Sequence, residues 1–253
     1  MKIQYASDLH LEFEANSSYL CKNPIVSTGD ILLLAGDIGV LGEDYMKYPF
    51  WDWAAEHFRQ TLVVPGNHEF YQSEDLASFH AGMIREIRPN VKLCYNSVVT
   101  IDNVDFFLTT LWAHIRTEDA FYIRRALSDF HYIKYGGKRL EPEQFNREHQ
   151  KTLQFLDSAL KSSVSSKRVV VSHHVPTELC MSPEFKGSTF NGAFVVELHD
   201  FIYDNHIDYW IYGHSHRNMP QVDINATKVI CNQLGYIEDN EQKSFNPSVC
   251  FDI

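Results

Sequence analysis

The chain has 253 residues and 44% hydrophobic content, enough for one packed α/β domain and too apolar for global disorder. Its 22 Lys and Arg against 33 Asp and Glu leave a formal net charge of −11, which repels a long phosphate backbone rather than recruiting it. The apolar run Ile31 to Ala35 stops at Gly36-Asp37, far short of the roughly 20 residues of a membrane helix, and Cys21, Cys94, Cys180, Cys231 and Cys250 form no C-x-x-C pair, so reduced thiols are expected rather than disulfides or a thiolate zinc site.

The first predicted element is a strand at Ile3–Ser7. No export signal precedes it, so a cytoplasmic location is the expectation. A strand at Ile31–Ala35, a helix at about Tyr45–Arg59 and a strand at Thr61–Val64 follow, then a helix at about Glu74–Ile87 and a strand at Phe106–Thr110. The clearest helix spans about Pro142–Leu160: proline suits its first turn, and Phe145, His149, Leu153, Leu156 and Leu160 recur on one face. A strand at Arg168–Ser172, a helix at about Ala193–Asn205 and strands at Tyr209–Tyr212 and Lys228–Cys231 complete the pattern, which is that of an α/β layered fold. Residues 112–141 lack a strand period and set Arg116, Arg124, Arg125, Lys134, Lys138 and Arg139 among aromatics. This segment reads as a lid or insertion on a single domain spanning 1–253, or more plainly as a solvated basic face.

Five short blocks carry the chemistry: Asp8-Leu9-His10, Gly36-Asp37, Gly66-Asn67-His68-Glu69, His173-His174 and Gly213-His214-Ser215-His216. Each begins where a predicted strand ends, and Asp8, Asp37 and Asn67 stand 29 and 30 residues apart, about one strand–helix–strand unit each. Taken singly, each block is a turn, a cap or a buried histidine. Together they supply carboxylates, imidazoles and an amide oxygen to one sheet edge, a donor set without sulfur that suits Mn, Fe, Zn, Co or Ni.

With Leu111-Trp112, Ser128-Asp129-Phe130, Val170-Val171-Ser172-His173-His174, Trp210 to His216 and Cys231 to Tyr236, the blocks make nearly the whole chain resemble the calcineurin-like metallophosphoesterases, in a bacterial branch of about this length. The resemblance implies a four-layer α/β/β/α sandwich with two mixed sheets face to face and a dinuclear metal centre at one sheet edge. It places one of two divalent ions, Mn foremost, on Asp8, His10, Asp37 and His216. The other falls to Asp37, Asn67, His173 and His214, with Asp37 bridging and His173 preferred over His174. It puts His68 beside the metals, to protonate the leaving oxygen or stabilise the charged transition state; Glu69 then orients a neighbour or is only a helix N-terminal charge. His174, His114 and Asn191 are expected to touch substrate, with Asp129 and the Arg residues of the insertion as further contacts.

The expected activity is hydrolysis of a phosphomonoester or phosphodiester by attack of a metal-bridging hydroxide. The substrate is then a small phosphoester or a phosphoprotein, with no long nucleic acid and no membrane. The alternatives are a catalytically silent metal-binding scaffold of the same fold and a nuclease acting on short nucleic acid.

Overall fold

A computed structural model describes residues 1–253. The first sheet is laid down by β1 (Lys2–Ala6), β2 (Ile31–Ala35), β3 (Gln60–Val64), β4 (Met83–Arg88) and β5 (Val91–Tyr95). The chain then crosses to a second sheet with β6 (Ser97–Ile101) and β7 (Val104–Thr109), makes a separate hairpin of β8 (Lys134–Tyr135) and β9 (Lys138–Arg139), and returns with β10 (Lys167–Ser172), β11 (Tyr209–Tyr212), β12 (Val222–Ile224) and β13 (Thr227–Cys231). A last strand, β14 (Cys250–Asp252), closes the edge of the first sheet. The strand orders are β14-β1-β2-β3-β5-β4 and β12-β13-β11-β10-β7-β6. Within each sheet the four inner strands are parallel and the two edge strands antiparallel.

Strand side chains alternate between the two faces, which makes two cores. Ile3, Ile31, Leu33, Leu62 and Val64 of the first sheet meet Phe106, Leu108, Val169, Val171 and Ile211 of the second across the sheet interface. Leu32, Leu34 and Val63 point the other way, into a larger core that also holds Trp51, Phe145 and Leu156 of the covering helices. This is why β2 is buried at all five positions and reads as a continuous apolar run. The helices are α1 (Glu14–Lys22), α2 (Pro49–His57), α3 (Ala120–Ala126), α4 (Asp129–Tyr132), α5 (Pro142–Ser162) and α6 (His199–Asp204). α2 packs on the first sheet, while α5 and α6 pack on the second, giving the α/β/β/α order. No helix is long and apolar enough to cross a membrane.

Helix α5 starts at Pro142, and Glu141 and Gln144 bond each other's backbone amides in a capping box. Phe145 is fully buried on its inner face, with its ring 5.3 Å from that of Trp112 and 5.9 Å from that of Phe130. Phe145→Ala is expected to cost about 3–5 kcal/mol, the usual range for deleting a buried aromatic ring. The check is a lowered urea midpoint at unchanged slope; a midpoint within error of the parent would refute the packing argument.

Three expected helices are corrected. Residues 74–87 hold only a single turn at Leu76–Ser78 before β4, because Gly82 takes φ +82° and Met83–Arg88 pairs with β5 across the tight turn at Pro89-Asn90. Of residues 193–205 only His199–Asp204 are α-helical, since Val195 extends into a bridge with Val175. The helix read at 45–59 begins at Pro49, with Tyr48 held extended before the proline. In the 112–141 segment, α3, α4 and the β8–β9 hairpin lie outside both sheets. Several of its basic groups are paired, Arg116 with Asp119 and Arg124 with Glu141.

Candidate metal centre

The parallel strands β1, β2, β3, β10 and β11 all run toward one edge, and a site residue follows each. Backbone bonds hold the exits together: Asp8 N–H donates to Gly36 O at 3.0 Å, His10 N–H to Asp37 O at 3.0 Å and Gly213 N–H to His173 O at 2.9 Å. Asp8, His10, Asp37, His214 and His216 all sit in the left-handed region, with φ between +48° and +75°. That conformation costs an L-residue about 1–2 kcal/mol, and such outliers gather where side chains must be aimed. Gly213 is required by close approach: a Cβ there would lie 2.7 Å from Asp8 Oδ2 and 2.9 Å from Ala35 O.

Two groups of donor atoms result. Asp8, His10, Asp37 and His216 converge in one; Asp37, His173 and His214 converge in the other. The carboxamide oxygen of Asn67 joins the second at 3.0 Å from His173 Nε2. Asp37 belongs to both, with Oδ2 at 3.8 Å from His10 Nε2 and 3.4 Å from His173 Nε2, while Asp8 Oδ1 lies 3.4 Å from His216 Nε2.

The far side of each ring decides what the near side offers. His10 Nδ1–H donates to Glu12 at 3.1 Å, His216 Nδ1–H to Glu241 at 2.7 Å, His173 Nδ1–H to the carbonyl of Ala35 at 2.8 Å and His214 Nε2–H to the carbonyl of Ala193 at 3.3 Å. The remaining nitrogens then carry lone pairs, and they face each other: His10 Nε2 to His216 Nε2 at 3.0 Å, and His173 Nε2 to His214 Nδ1 at 3.1 Å. Asn67 is oriented likewise, its amide donating to Asp129 at 2.9 Å and Tyr71 at 3.0 Å so that its oxygen points inward. With the rings neutral these converging atoms are acceptors that suit cations, and oxygen and nitrogen atoms without sulfur fit divalent transition ions. Protons compete for the same places. Burial opposes charge on His173, but Asp37 lifts it to about 9; burial likewise opposes charge on His216, but Asp8 and Glu241 lift it to about 10. His10 and His214 are held low, chiefly by burial, and stay neutral.

His68 lies just outside both groups, at the wall of a cleft of about 250 Å³. Its backbone N–H donates to Asp37 Oδ1 at 2.9 Å, its Nδ1–H to Glu12 at 2.9 Å, and its Nε2 is 3.1 Å from the Tyr236 hydroxyl. Burial works against protonation of His68, but Asp37 and Glu12 outweigh it and raise the ring's pKa. Glu12 is driven up by burial yet held at about 2 by its bonds to His10 and His68. Glu69 is fully buried and accepts from the backbone N–H groups of Asp37, Ile38 and Gly66 at 2.7–2.9 Å, which ties the β2 and β3 exits together. Burial and the Asp37 carboxylate push its pKa up to about 8.

Three expected substrate contacts are placed elsewhere. His174 is fully buried, its ring 4.2 Å from that of His214 and 5.4 Å from that of Trp112, and it does not line the cleft. His114 and Asn191 line a separate cleft of about 1060 Å³, behind the segment whose Ala193 and Phe194 face the donor groups. Asp129 does reach the cleft wall, beside Leu127 and Ser128, and bonds Asn67. Glu12, Tyr71, Glu241 and Arg217 also reach the site; in sequence Glu12 stands two residues beyond His10 and Arg217 directly follows His216.

The family model of calcineurin-like phosphoesterases matches residues 1–218. An uncharacterized protein of Acanthamoeba polyphaga mimivirus is 28% identical over 279 residues, covering 99% of this chain and 96% of its own length. Among solved structures, the phosphopantetheinyl hydrolase of Mycobacterium tuberculosis superposes with a TM-score of 0.68 at 14% identity, over 96% of this chain and 92% of that one, a likeness of fold. Members of the matched family bind two divalent metal ions and cleave phosphoester bonds. The chain belongs to the calcineurin-like phosphoesterases and is a metal-dependent phosphoesterase.

Proposed function

We propose that the chain hydrolyses phosphodiesters, and that Asp8, His10, Asp37 and His216 would hold one divalent ion and Asp37, Asn67, His173 and His214 the other. The observation that carries this reading is the set of lone pairs gathered around one shared carboxylate, each ring's second nitrogen being already committed. Mn²⁺ is the ion of choice for the test, one of several divalent ions that oxygen and imidazole nitrogen donors suit. When bound, two such ions would supply a hydroxide nucleophile at neutral pH and neutralise charge on the phosphoryl oxygens. His68 provides the proton: as the bond from phosphorus to the leaving oxygen breaks, its electron pair stays on that oxygen, which takes the proton from His68 Nε2. His68 is left neutral, with its Nδ1–H still on Glu12.

The choice of diester rests on the charges lining the cleft. Arg217 is its sole Lys or Arg, and the guanidinium is already paired to Glu184 at 2.6 Å and Glu241 at 2.7 Å. Asp129 and Glu241 add negative charge to the same wall. A monoester dianion therefore meets no free guanidinium, whereas a diester carries a single charge and asks for less.

The test is hydrolysis of bis(4-nitrophenyl) phosphate and 4-nitrophenyl phosphate by chelator-stripped protein, before and after Mn²⁺. No turnover is expected in the stripped state. Restored activity should favour the diester about tenfold or more in kcat/KM, the effect of one missing charge-assisted contact to the monoester. Turnover indifferent to chelation would refute the metal assignment, and faster monoester cleavage would refute the substrate class.

A further inference from the structure

Glu12 stands outside both donor groups, yet a single one of its oxygens touches both halves of the site. Oε1 accepts from His10 Nδ1 at 3.1 Å and from His68 Nδ1 at 2.9 Å, and the two rings meet edge to face with centroids 4.5 Å apart. The two imidazoles are held in opposite senses. His10 turns its Nε2 toward His216 and Asp37, while His68 turns its Nε2 toward Tyr236 and the cleft. The only contact recorded for either Nδ1 is to this oxygen, and Glu12 Oε2 is buried with no partner, so no second acceptor shares the task. A third group of potential metal donors, His10 with Glu12 and His68, is thereby explained as hydrogen bonding, since both nitrogens are N–H donors there.

We propose that Glu12 is a positioning residue that couples cation binding to proton delivery, one carboxylate oxygen fixing the tautomer and tilt of a metal-binding histidine and of the proton donor together. The proposal rests on the phosphodiesterase reading above. Its distinguishing consequence is joint failure: a change at Glu12 disturbs both properties, whereas a change at either histidine disturbs chiefly its own. Carboxylates behind metal-binding histidines matter 10- to 100-fold in affinity or activity, and the same oxygen here also governs a proton transfer worth about 10²–10⁴-fold.

The experiment uses E12Q in the full chain, with H68A and the parent alongside. Mn²⁺ affinity is measured by titration calorimetry, and rates at saturating Mn²⁺ are measured for bis(4-nitrophenyl) phosphate and diphenyl phosphate. Phenolate is the more basic leaving group and needs the proton more. For E12Q, Mn²⁺ should bind about 10- to 100-fold more weakly, and the diphenyl rate should fall about 10²-fold, far more than the nitrophenyl rate. H68A should reproduce the leaving-group pattern at near-parental Mn²⁺ affinity. E12Q that changes only one of the two readouts, or neither, overturns the coupling. If E12Q does not fold, E12D is judged by the same criterion: both readouts must move together. An inactive parent would count against the phosphodiesterase reading, whereas an active parent with an unmoved variant counts against Glu12 alone.

Discussion

Asp37→Asn is expected to lower kcat by about 10³-fold or more at saturating Mn²⁺ while leaving the fold in place. The side chain keeps its shape, and its Oδ1 can still accept the His68 backbone N–H that it now takes at 2.9 Å. What disappears is the negative charge on the oxygen common to both donor groups. Two dications a few ångströms apart repel strongly, and an anionic bridge is what offsets that repulsion. Several kcal/mol of transition-state stabilisation depend on the pair, and each 1.36 kcal/mol is a factor of ten in rate. A thermal melt separates this from unfolding. The parent should gain about 2.7 kcal/mol of stability for each ion bound at a metal concentration of 100 times Kd, and the variant should gain much less. Parental turnover in the variant, or an equal gain on adding Mn²⁺, would remove Asp37 from the centre.

The next largest effect is expected at His68. H68A should slow cleavage of diphenyl phosphate by about 10²–10⁴-fold, the usual contribution of a positioned acid. Bound metal should be unchanged, because His68 contributes to neither donor group around Asp37. Its Nε2 faces the cleft and the Tyr236 hydroxyl, where a leaving oxygen can reach it. Added imidazole should restore part of the rate by occupying the vacated volume. An unchanged rate with diphenyl phosphate would show that the leaving oxygen is protonated by another route.

How far the sequence could be read depended on distance along the chain. Strand exits and i, i+2 spacings are local, so Asp8 with His10 and His214 with His216 were legible, and Ile31–Ala35 was placed to the residue. Strand β4 was not: Met83–Arg88 mixes charged and apolar side chains in a way that also suits a helix, and only its pairing with β5 settles the matter. His173 and His174 are neighbours just past the end of β10, and the chain there sends one ring toward Asp37 and the other toward Trp112, in line with the preference for the residue nearest the strand end. Glu12 stands close to His10 in sequence, but its bond to His68 spans 56 residues and leaves no local trace. His114 and Asn191 are expected at the site, but they line the other cleft, while Ala193 and Phe194 of the same segment face the donor groups.

The five left-handed residues at the strand exits have a consequence for metal loading. At about 1–2 kcal/mol each, their combined conformational cost is comparable with the roughly 5–15 kcal/mol that keeps a domain folded. That cost falls on folding, so the site is preorganised before an ion arrives. Capture then needs little backbone rearrangement, and more of the coordination energy appears as affinity. Ion binding then adds to the stability of a chain that is already folded.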